Sequence, residues 1–149
     1  MARYKRIVAG IVLMAACVQT LAGNTIVVRD AWVRESPPGA PVLAAYFSLE
    51  NTGSKADKLV AVRCPDFENV EIHATEIHDG MARMIALDTL TIPPHAIVKL
   101  APGGNHLMLH HPRHAMVAGM NVKLELHFES GTGLTLLTPV RRAESGAAQ

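Results

Sequence analysis

After residue 23 the chain alternates short apolar runs, rich in Val, Ile, Leu and Thr, with clusters of Gly, Pro, Asn and Asp, and few stretches repeat their apolar positions at a helical interval. Such runs bounded by turn residues read as strands. Nine are expected: Thr25 to Val33, Val42 to Glu50, Lys58 to Arg63, Val70 to Ile77, Met81 to Leu87, Ala96 to Leu100, His106 to His110, Met120 to Phe128 and Leu134 to Val140. The breaks between them are Ser36-Pro-Pro-Gly39, Asn51-Thr-Gly-Ser54, Asp79-Gly80, Pro93-Pro94, Pro102-Gly-Gly-Asn105 and Gly131-Thr-Gly133, each a turn by its own backbone chemistry. The pattern predicts an all-β sandwich or barrel. Leu107 to Met116 reads two ways, because His106, His110 and His114 also fit one face of a helix. Arg141 to Gln149 carries no pattern; the domain is placed at residues 24–143, with 144–149 as a disordered tail.

The start of the chain changes the picture of where this domain works. A basic segment, Met1-Ala-Arg-Tyr-Lys-Arg6, precedes an apolar run from Ile7 to Val18 and small residues at Ala22 and Gly23. The run is too short to cross a bilayer, so residues 1–23 read as a secretory signal peptide and no membrane span is expected. A lesser alternative is a lipoprotein box at Met14-Ala-Ala-Cys17, which would tether the domain through an acylated Cys17. Without residues 1–23 the chain keeps 11 of its 14 basic side chains against 13 acidic ones, a formal charge of −2. That balance offers no basic patch for nucleic acid. About 125 residues remain, enough for one domain with its own core. Cys64 is then the single cysteine, which excludes an internal disulfide and reads as a small buried hydrophobe.

Candidate chemistry is concentrated in the second half. All eight histidines, and all five methionines beyond the leader, lie between His73 and His127. Four of them are spaced as His73, ten residues, Met84, twenty-one residues, His106, one residue, Met108. Thioether sulfur is a soft donor that prefers Cu(I) to hard cations, and imidazole adds affinity without a thiolate. With Asp79-Gly80 as a two-residue type I′ hairpin loop, residues whose numbers sum to 159 face one another. His73 then lies opposite Ala86 and Met84 opposite Thr75. His73 and Met84 become diagonal neighbours on one face, roughly 7 Å apart. His106 and Met108 share a face by strand alternation alone. The same register pairs His78 with Met81 on the other face.

These residues resemble the signature of the periplasmic copper chaperones often called PCu(A)C. Further matches are Asp30-Ala-Trp32, Pro37-Pro-Gly-Ala-Pro41, Tyr46, Glu50-Asn-Thr-Gly53, Glu71-Ile-His73, Asp79-Gly80, Ile92-Pro93 and Pro102-Gly-Gly-Asn-His-Leu-Met108, so the resemblance runs over roughly residues 25–140. It implies a cupredoxin-like Greek-key β-sandwich with His73, Met84, His106 and Met108 as Cu(I) ligands. It also implies delivery of copper toward the copper-A centre of cytochrome c oxidase, with an oxidase subunit as acceptor. The histidines at 110, 111 and 114 and the cysteine at 64 lie outside the family pattern.

Met and His suit an oxidising compartment, where exposed thiols form disulfides. The reading is a non-enzymatic, monomeric carrier in the periplasm. Blue-copper electron transfer is disfavoured, since it uses a Cys thiolate and Cys64 has no ligand at compact spacing downstream. The alternative is a zinc- or Cu(II)-dependent enzyme built on His106, His110, His111 and His114; a third is an adhesion-like sandwich without metal. Taken singly, a strand His or Met is more often structural than a ligand. His78, Met81, His110, His111, His114 and Met116 keep that structural or solvated reading. Trp32, Tyr46 and Phe47 read as core aromatics.

Overall fold

The computed structural model describes residues 25–142, and these form strands and turns without a helix. The strands are β1 (Ile26–Arg34), β2 (Val42–Asn51), β3 (Asp57–Arg63), β4 (Phe67–His78), β5 (Met81–Leu87), β6 (Leu90–Ile92), β7 (Ile97–Leu100), β8 (His106–Pro112), β9 (Asn121–Phe128) and β10 (Gly133–Arg141). The expected leader, its Cys17 alternative and the tail at 144–149 lie outside the described residues.

Hydrogen-bonded neighbours run β5-β4-β8-β2-β1-β10-β9-β3-β6, with β7 also on β2. β1 and β10 meet in parallel only at their ends, Val33 with Val140 and Arg34 with Arg141. The halves on either side of that junction share one apolar core, drawn from Leu43, Phe47, Leu49, Leu107 and Leu109 on one side and Leu59, Ile92, Val122, Leu124 and Leu126 on the other. This is the cupredoxin-like Greek-key sandwich. Period-two alternation produces it directly: on β9, Val122, Leu124, Leu126 and Phe128 are buried while Asn121, Lys123 and His127 face water. Each buried Leu, Val or Phe contributes about 1.5–3 kcal/mol by leaving water.

The edge of β2 is covered in two steps that matter for the site. β8 pairs with its first half, Val42 to Ala45, and β7 with its second, Phe47 to Glu50. Between them the chain makes a tight excursion closed by Ala101 N–H to Asn105 O (2.8 Å) and Gly104 N–H to Ala101 O (3.0 Å). Gly103 sits there at φ +84°, a left-handed conformation costly for other residues. At the far end of β2 the buried Asn51 side chain donates to Lys55 O and Ile92 O and accepts from Gly53 N–H, tying the Asn51-Thr-Gly-Ser54 turn to β6. A buried amide with its partners satisfied fixes geometry, because its hydrogen bonds offset the cost of desolvating it.

Two expectations need correction, and one segment that read two ways is resolved. A tenth strand, β6, lies just before Pro93; its three residues are too few to show a period, although Leu90 and Ile92 are both buried. Leu107 to Met116 contains no helix: β8 runs through Pro112, and His111 takes φ +52° where its N–H reaches Pro41 O. Of the three aromatics, Phe47 belongs to the central core cluster; Tyr46 is buried as expected, but on the opposite face of β2, and Trp32 is only half-buried. There Tyr46 packs on Trp32 with ring centroids 4.8 Å apart. Cys64 is free and buried, as expected of a small hydrophobe.

Candidate metal centre

The β4–β5 hairpin has the register that its turn dictates. His73 pairs with Ala86, Thr75 with Met84 and His78 with Met81. Asp79 and Gly80 take φ +50° and +77°, the pair of positive values that a type I′ turn requires. On its other side β4 pairs with β8, placing His73 directly opposite His106 and Glu71 opposite Met108. Directly paired residues share a face, and so do residues two apart. His73, Met84, His106 and Met108 therefore project from one face of three adjacent strands. It is the face away from the core, since the intervening Ile72, Leu107 and Leu109 are buried in the core cluster.

The two imidazoles sit close together, ring centroids 5.9 Å apart. His106 is buried, and its Nδ1 lies 2.9 Å from the Gly104 carbonyl. A carbonyl only accepts, so Nδ1 carries the proton and Nε2 keeps its lone pair. His73 Nε2 lies 2.9 Å from Glu71 Oε2. By the same logic it donates there, and the lone pair falls on Nδ1, a buried atom without a hydrogen-bond partner. Each ring is thus held in one tautomer by a neighbour, the device that orients histidine ligands in metalloproteins. The hydrogen bond from His73, with the nearby His110, holds the Glu71 carboxyl below its ordinary range. The methionines differ in exposure: Met108 is half-buried between β2 and β4, while Met84 on the edge strand is 66% exposed.

Sequence reasoning missed two members of this face. Glu71 Oε2 lies 2.9 Å from His73 Nε2 and 3.3 Å from His110 Nε2. The contact to His110 lacks hydrogen-bond geometry, and His110 Nε2 remains a buried nitrogen without a partner. Strand alternation could have found both, since Glu71 stands two residues before His73 and His110 two residues after Met108. The proposed cluster of His106, His110, His111 and His114 does not form. His106 and His110 are four residues, about 13 Å of backbone, apart on β8, and among the described residues these histidines form no group close enough to share an ion. His111 turns instead toward Glu68 (3.6 Å) and His114 toward Asp66 (3.7 Å). Among the described residues, the only His, Cys, Asp and Glu side chains grouped closely enough for a metal ion are Glu71, His73 and His110, so Cys64 is not part of one.

Comparison with known proteins gives the same frame. The family model described as "Putative lipoprotein LpqE-like" matches residues 26–140. A protein named putative lipoprotein Lxx21020, from Leifsonia xyli subsp. xyli, is 30% identical over 115 residues, covering 76% of this chain and 68% of that one. Among solved structures, a copper-bound PCuAC domain from PmoF2 superimposes with a TM-score of 0.69 at 24% identity, over 80% of this chain and 95% of that one, and supports the fold. The Cu(I) form of DR1885 from Deinococcus radiodurans superimposes with a TM-score of 0.67 at 28% identity, over 85% and 83% of the two chains.

Proposed function

Since this chain belongs to the LpqE-like family and is built as a PCuAC-type domain, we propose that it is an exported, non-enzymatic carrier that holds one Cu(I) ion on His73, Met84, His106 and Met108 and passes it to an acceptor protein. The observation that carries this reading is the shared face: two paired strands and a hairpin in register aim two imidazoles and two thioethers to one side of the sheet. The donor chemistry fits the ion. Thioethers are soft and need no deprotonation, and both rings present a lone pair, Nδ1 of His73 and Nε2 of His106.

The arrangement also suits handing over the cargo. His106 and Met108 stand on an interior strand, whereas Met84 lies open on the edge strand. An acceptor's sulfur or imidazole can approach from that edge and replace Met84 before the inner ligands are disturbed. By family resemblance the acceptor is the copper-A subunit of cytochrome c oxidase and the compartment is the periplasm. No helix among the described residues is long and apolar enough to cross a membrane.

Anaerobic titration with Cu(I) against a competing chelator is expected to show one tightly held ion, with X-ray absorption reporting two sulfur and two nitrogen ligands. His73→Ala and Met108→Ala should each weaken it by at least about tenfold. Undiminished affinity in both variants would overturn the site. Transfer to a purified apo copper-A domain, absent with a copper-A domain stripped of its cysteines, tests the acceptor.

A further inference from the structure

We propose a second metal position on the same face: Glu71, His73 Nε2 and His110 Nε2 form a site for a divalent borderline cation, Zn(II) or Cu(II), whose occupancy excludes Cu(I). The two separations to Glu71 are those of neighbouring donors in a coordination shell before any ion arrives. With ligands about 2.0–2.1 Å from a Zn(II) ion, neighbouring donors of a tetrahedral or square shell stand about 2.9–3.4 Å apart. Glu71 Oε2 lies 2.9 Å from His73 Nε2 and 3.3 Å from His110 Nε2. All three donors fall within 4.8 Å of one another.

A second observation points to a ligand. His110 Nε2 is buried and makes no hydrogen bond, although it faces the Glu71 carboxylate. Buried polar nitrogens are almost always paired, and one left unpaired is costly. A cation between the imidazoles and the carboxylate satisfies it and neutralises Glu71 as well. The donor set is two nitrogens and one oxygen, without sulfur. That set suits Zn(II) or Cu(II), whereas the thioethers suit Cu(I). Oxidation state or metal identity therefore decides which side of His73 is used.

Exclusion follows from the shared ring. A neutral imidazole has one lone pair. When Glu71 accepts the Nε2 proton, that lone pair is on Nδ1 and serves the thioether side. When a divalent ion binds Nε2, it displaces that proton, the neutral ring carries its proton on Nδ1, and the thioether side loses a ligand. The divalent site itself stands without the Cu(I) reading; only the exclusion rests on it.

The test uses untagged apo protein. One equivalent of Zn(II) should bind, and the Cu(II) form should give an electron paramagnetic resonance spectrum with splitting from two imidazole nitrogens. Glu71→Gln and His110→Ala should each weaken Zn(II) by about tenfold or more, with Cu(I) retained in His110→Ala; His111→Ala should change neither. Anaerobic addition of one equivalent of Cu(I) to the Zn(II) protein should release Zn(II) to a chromophoric chelator. Absence of Zn(II) and Cu(II) binding, or binding that both variants leave intact, overturns the site. Zn(II) that stays bound while Cu(I) loads overturns the exclusion alone. Zn(II) binding that depends on His110 in a protein that takes up no Cu(I) supports this site and defeats the carrier reading.

Discussion

The two strands flanking β4 contribute to the proposed copper site in unlike ways. β8 is interior, paired with β2 on one side and β4 on the other, and anchors its inner face with the fully buried Leu107 and Leu109. β5 pairs with β4 alone and ends the sheet, and the hairpin it makes exposes Ile77, Met81 and Met84 to 66–69%. His106 and Met108 thus stand on a rack made by the core, whereas Met84 stands on a lip held by one turn. Low burial is what allows local opening at low free-energy cost. A site assembled from both can hold a ligand set in place on one side and exchange a ligand on the other.

Cutting the rack from beneath tests this division most severely. Leu109→Ala should cost about 2–5 kcal/mol of stability, since the side chain is fully buried and leaves a cavity. Urea denaturation of the apo protein measures it. A loss below about 1 kcal/mol would show that β8 is not supported by the core in the way its burial indicates.

Next in size is the turn that sets the hairpin. At Gly80 a Cβ would meet open space, so the penalty of Gly80→Val comes from φ +77° alone, about 1–2 kcal/mol. Register should suffer more than stability, because a slip of one residue turns Met84 away from His73. Cu(I) affinity should fall by about tenfold or more, as for a lost ligand position. Unchanged affinity with lowered stability would mean that the turn does not position Met84.

Met84→Ala sharpens the contrast further. The side chain is 66% exposed, so stability of the apo protein should move by less than about 0.5 kcal/mol. Cu(I) affinity and the sulfur count in X-ray absorption should both drop. The same truncation at the half-buried Met108 should lower apo stability as well. Equal apo stabilities for the two variants would erase the distinction between rack and lip.

How much of this was legible beforehand follows from which interactions are local. Hairpin register was readable because Asp79-Gly80 permits one tight turn and strand alternation does the rest. His106 and Met108 needed only a period of two. The pairing of β4 with β8 was not readable, because about thirty residues separate His73 from His106 and no local rule selects a strand's second neighbour. Alternation alone could have put Glu71 and His110 on the ligand faces of their own strands, but their meeting depends on that long-range register. β6 was too short for a periodic signal, and the histidines after Met108 fitted a helix until a left-handed His111 and the bond from its N–H to Pro41 fixed them as a bent strand end. Tyr46 and Trp32 were placed by composition in the core; Tyr46 is indeed buried, but alternation from Ala45 and Phe47 puts it on the outer face, where it packs on the half-buried Trp32.

The smallest expected effect on copper tests the same logic from its opposite pole, a soft donor that is present but withheld. Thiolate is a stronger Cu(I) ligand than thioether, and Cys64 follows β3 at the start of the turn into β4. Burial pushes its thiol up to about 11, outweighing the backbone N–H groups of Asp66 and Phe67 that favour the thiolate. The nucleophile and ligand is the thiolate, so at pH 7 to 8 Cys64 should neither react with iodoacetamide in the native state nor take part in copper binding. Cys64→Ser should leave Cu(I) affinity unchanged. The sign for stability is set by the raised value: the folded state favours the neutral thiol, so its contribution is present below the ordinary value of 9.0 and is lost as pH rises from there toward 11. The native protein should therefore lose stability across that window, and Cys64→Ser should flatten the loss. A Cu(I) affinity that falls in Cys64→Ser would place a thiolate in the site and remove the reason for reading the exposed thioether of Met84 as the exchangeable ligand.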